Sequence, residues 1–69
     1  MKKSFLVVDV SSVDIATQEH LFSLGVMPGH SLSLLHVCPF GGPLVFEVAG
    51  EKWAMRRQVW DKLEKVEQK

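Results

Sequence analysis

The 69-residue sequence predicts a mainly β fold, a small, strongly bent and partly open barrel. It has about five strands, one α-helix between the first two and a short helical turn before the last. Three observations predict it. The apolar segments are short, rich in Val, Leu and Phe, and separated by Gly, Pro and Ser. One long stretch carries a helical period. A chain of this length also lacks the material for a two-sheet sandwich of ordinary size, so its strands must bend around one core.

The elements follow in order. Ser4 to Val10 reads as a strand that stops at Asp9, Ser11 and Ser12. Ser11 or Ser12 is then the expected N-cap of a helix from Val13 to Leu24, with Asp14 near the positive end of its dipole. Ile15, Thr17, Leu21, Phe22 and Leu24 would form its broad apolar stripe. Gly25 suits a left-handed C-cap, and Pro28 prevents continuation. Met27-Pro28-Gly29-His30 fits a type II turn. Ser31 to Cys38 is the second strand. Leu32 and Leu34 share one face while Leu35 and Val37 share the other, so a bulge near Leu34 is expected. Pro39-Phe40-Gly41-Gly42-Pro43 is a loop. Leu44 to Ala49 is the third strand, Gly50-Glu51 a turn, and Lys52 to Arg56 the fourth strand, with Trp53 and Met55 expected in the core. Arg57 to Lys62 is the helical turn, and Leu63 to Glu67 closes the sheet.

Composition narrows the function. Eight basic side chains balance eight acidic ones, which argues against nucleic acid as the main partner, because phosphate neutralisation supplies most of that affinity. No apolar run approaches the roughly 18 residues of a membrane span. Lys2 and Lys3 precede a short apolar run, but no cleavage site follows, so a signal peptide is rejected. The single cysteine excludes an internal disulfide and fits a reducing compartment. A cytoplasmic chain with no direct membrane insertion is expected, as one domain over residues 1–69.

The segment Leu21-Phe22-Ser23-Leu24-Gly25-Val26-Met27-Pro28-Gly29 is distinctive. It is followed by the strand to Val37, then Cys38-Pro39-Phe40-Gly41-Gly42-Pro43, then Val45 to Gly50 and Ala54-Met55-Arg56-Arg57. This order resembles the FeoA family over nearly the whole chain. The family's pattern is L-x-x-L-G-x-x-P-G, a hydrophobic strand, P-x-G-x-P, a strand ending in Gly, and a leucine-arginine pair. The resemblance implies an SH3-like barrel, and a cytoplasmic accessory protein of ferrous iron transport whose partner is the membrane permease FeoB with its GTP-binding domain. A similar domain ends some iron-dependent repressors. The initial Met, with no DNA-binding helices before the barrel, sets that reading aside. The chain departs from the pattern at three places. His20 stands where a basic residue is common, and Trp60 where a smaller residue is usual. The final strand reads Leu63-Glu64-Lys65-Val66 rather than I-x-V, so either Lys65 faces solvent or the strand shifts by one residue.

Several residues invite a functional reading. Phe40, beside Gly41 and Gly42 in the Pro-bounded loop, is the best candidate for an exposed apolar contact, while the gain from burial favours a plug folded back onto the barrel end. Arg56 and Arg57 suit acidic groups on a partner, and Trp60 suits an interface. His36 and Cys38 lie two apart and share a strand face, so a zinc or iron site completed by His30 or His20 is the alternative. That pair lacks the second half of any usual ligand motif. The five glycines match no phosphate-binding loop, no catalytic constellation is present, and neither cofactor nor enzyme activity is expected. The exposed edges of a small barrel leave weak self-association open. The leading expectation is therefore a protein-interaction module.

Overall fold

The computed structural model describes residues 2–68. Five strands, β1 (Lys3–Asp9), β2 (Ser31–Val37), β3 (Leu44–Val48), β4 (Glu51–Met55) and β5 (Glu64–Gln68), form one sheet in the order β4-β3-β2-β1-β5. Every neighbouring pair is antiparallel. Helix α1 (Ile15–Leu24) joins β1 to β2, and α2 (Arg57–Lys62) joins β4 to β5. The last strand returns beside the first, so β4 and β5 are the sheet's two edges. The mainly β class and the element order are those the sequence predicts.

The sheet bends where the apolar pattern of Ser31–Cys38 changes face. Leu34 pairs with Phe46 but His36 pairs with Val45, which leaves Leu35 as the extra residue of a bulge. Leu32 and Leu34 point inward before it, and Val37 opposes the buried Leu44 after it. The core gathers on this concave side. Phe46 is 0% exposed at its centre, and Val7, Val26 and Leu63 reach it from β1 and the connections. Burying each such side chain stabilises the fold by about 1.5–3 kcal/mol.

The helix start differs from the expectation. Asp14, not Ser11 or Ser12, is the N-cap, and its carboxylate accepts hydrogen bonds from the Thr17 N–H at 3.0 Å and the Thr17 hydroxyl at 2.7 Å. Ser11 is occupied elsewhere, since its N–H and hydroxyl both donate to Asp9. The Val13 N–H donates to the Val10 carbonyl at 3.0 Å. That turn buries both valines before the helix begins. With Val13 already in the core, α1 needs only Leu21 and Leu24 to dock. Ile15 and Phe22, expected in the buried stripe, are 73% and 39% exposed. Gly25 ends the helix as expected. It is left-handed at φ 97, and the Val26 N–H returns to the Leu21 carbonyl at 2.9 Å.

All five strands lie where expected, but each has at least one end displaced by a residue. The β3–β4 turn is Ala49-Gly50, with φ 52 and 80, rather than Gly50-Glu51. Both residues are left-handed because a tight hairpin must match the twist of its strands. β5 begins at Glu64, after the buried Leu63 has ended α2. The Met27–His30 turn closes as expected, with the His30 N–H donating to the Met27 carbonyl at 3.0 Å. Trp53 corrects the core expectation. It lies opposite Phe46 on the inner face but is 37% exposed, because β4 has a neighbour on one flank only.

Candidate interaction surface

The β2–β3 loop is built like a presented tip. Its base closes through the Cys38 N–H, which donates to the Pro43 carbonyl at 3.0 Å. Within it the Gly42 N–H donates to the Pro39 carbonyl at 3.2 Å. The two central residues, Phe40 and Gly41, have φ 61 and 73, as a type I′ turn requires. Space at Gly42 is tight for any side chain. A Cβ there would stand 3.0 Å from the Cys38 Cβ and 3.2 Å from the Pro39 carbonyl oxygen.

Phe40 therefore carries two local costs. A non-glycine residue in the left-handed region is strained by about 1–3 kcal/mol. Its ring is also 103% exposed, so it recovers none of the burial energy available to a phenylalanine. The alternative role of Phe40, a plug folded back on the barrel, is not what the structure shows.

Arg57 ties this loop to α2. Its Nη2 donates to the Cys38 carbonyl at 3.3 Å, while its buried Nε has no partner among the described residues. Arg56 caps α2 through its backbone, its carbonyl accepting from Val59 and Trp60, and its side chain is left exposed. Phe40, Gly41 and Gly42 thus share one loop, and Arg57 reaches its base at Cys38.

Trp60 serves packing. Its ring meets Phe5 edge-on, with centroids 5.1 Å apart at 89°. The Lys65 ammonium lies 4.5 Å from the Trp60 ring centroid and donates to the Trp60 and Leu63 carbonyls. Lys65 takes neither course expected for it. It opposes Val7 in the sheet and turns inward beneath Trp60. Partial burial holds its amine below the usual lysine range, with Asp61 acting weakly in the other direction.

The metal alternative finds no assembled site. His20, His30 and His36 are all exposed, and Cys38 is half-buried just past the end of β2. Among the described residues, no three His, Cys, Asp or Glu side chains come close enough to hold a metal ion.

Sequence reasoning missed one feature, a groove of about 620 Å³ between α1 and the β4–α2 corner. Leu21, Leu24, Met55 and Val59 supply apolar lining, and Arg56 and Lys62 stand among its lining residues. These residues come from separated segments, so no local motif announces them. No helix among the described residues is long and apolar enough to cross a membrane.

A bent five-stranded antiparallel sheet in this order, presenting loops around one small core, is consistent with the SH3-like fold. The FeoA domain model matches residues 2–64, and the chain belongs to the FeoA family. Membership implies a role in ferrous iron transport. The solution NMR structure of protein PA4359 from Pseudomonas aeruginosa is similar to it. That likeness has a TM-score of 0.70 and 26% identity, and covers 94% of this chain and 88% of that one. No curated protein matches the chain significantly.

Proposed function

We propose that this chain is a non-enzymatic interaction module of bacterial ferrous iron transport. In this reading it works in the cytoplasm and docks on the GTP-binding part of the permease FeoB. The observation that supports this most is Phe40, a strained and fully exposed aromatic on a loop braced by Arg57. Strain and apolar exposure together weaken a small domain and are explained if the ring is buried in a complex. Aromatic side chains held this way are frequent binding hot spots.

Binding of the purified FeoB cytoplasmic domain tests the proposal. Phe40→Ser should weaken it by more than about tenfold while the fold is unchanged. No binding of the unaltered protein at high micromolar concentration would overturn it.

A further inference from the structure

The β4 edge and the groove beside it form a second surface, separate from the Phe40 loop. β4 is an edge strand, so the backbone groups on one flank of Glu51–Met55 lack a sheet partner. Edges are usually blunted by charge. Here Glu51 and Lys52 guard the first half only, while Trp53, Ala54 and Met55 carry none. Trp53 and Ala54 are also exposed.

The groove opens alongside this uncharged half, since Ala54 and Met55 are part of its lining. An extended chain paired with β4 would place alternate side chains over it. The apolar lining asks for apolar side chains. The lining charge asks for acidic ones. Arg56 and Lys62 are exposed and form no salt bridge among the described residues, where Lys2–Glu47 is the pair present. The one carboxylate of the lining, Asp14, is held by the Thr17 N–H and hydroxyl, and Lys62 adds a weaker attraction. The cationic groups therefore outnumber the anionic one.

We propose that β4 and this groove take an extended segment of a partner protein, added to the sheet as a further strand, whose groove-facing side chains, every second residue, are apolar and acidic. The apolar side chains would sit on Leu21, Leu24, Met55 and Val59, and the acidic ones would face Arg56 and Lys62. This surface does not depend on the Phe40 loop or on the identity of the permease.

The test uses the full chain and amide hydrogen exchange across Glu51–Met55. The probe is a short peptide with leucine and glutamate at its groove-facing positions and threonine between them. A leucine–lysine peptide and a backbone N-methylated leucine–glutamate peptide are the comparisons. The first peptide should slow exchange in β4 about tenfold and the other two should not. The double variant Arg56→Glu, Lys62→Glu should weaken its binding by about tenfold, as charge reversal at a complementary site does. The variant Phe40→Asn should bind the peptide unchanged, which separates this surface from FeoB docking. No protection by the leucine–glutamate peptide, or equal protection by either comparison peptide, would overturn the proposal. Protection that grows with protein concentration alone would assign the edge to a second copy of the chain and also overturn it.

Discussion

Phe40 and Asp14 show how single residues divide between function and stability. Phe40 occupies a turn position that prefers Gly, Asn or Asp, at φ 61. Phe40→Asn should therefore raise stability by about 1 kcal/mol in urea unfolding, while weakening partner binding. A destabilised variant would show that the ring packs within the domain. Asp14 works the other way. Its carboxyl is held below its ordinary value of 3.8, first by the Thr17 hydroxyl and then by the Thr17 N–H. A lowered folded-state pKa stabilises above the unfolded value and is lost as pH falls through the folded one. Wild type should be more stable than Asp14→Ala near neutral pH, with the difference shrinking as the pH falls below the ordinary value of 3.8. Parallel thermal melts across that range check it, and a difference that persisted in acid would contradict the cap.

At the scale of elements, the α2–β5 corner is held by a contact the sequence did not reveal. Trp60 lies between Phe5 and Lys65, with the ammonium over its ring. A double-mutant cycle with Trp60→Leu and Lys65→Met should give a coupling of about 0.5–1 kcal/mol, and additive effects would remove the pairing. Lys65 reads as a solvent residue because charge is normally a solvent signal. Its inward turn follows from Trp60, whose size supplies a lid and whose carbonyl supplies an acceptor. The same limit explains α1. Helical spacing puts Ile15 and Phe22 in the core, but the Val10–Val13 turn buries its valines before the helix and leaves both of them exposed, which periodicity cannot register. By contrast, the bulge after Leu34 was legible, because two apolar pairs of opposite phase admit few other solutions. The Phe40 loop was legible too, since Pro and Gly dictate local geometry. Its left-handed φ at Phe40 was not.

At the scale of the whole molecule, the small barrel offers two kinds of surface. One is the strained tip at Phe40, joined to α2 through Arg57. The other is the β4 edge with its groove, also bounded by α2. The balanced charge of the chain suits recognition of protein rather than a phosphate backbone. Both surfaces rest on a core centred on Phe46, so variants at either should leave the fold intact. The central claim, that the Phe40 loop docks on FeoB, is tested most directly by titrating the FeoB GTP-binding domain into the isotope-labelled chain. The largest amide shifts are expected at Cys38, Phe40, Gly41, Gly42 and Arg57. Binding whose shifts left that loop unchanged would contradict it.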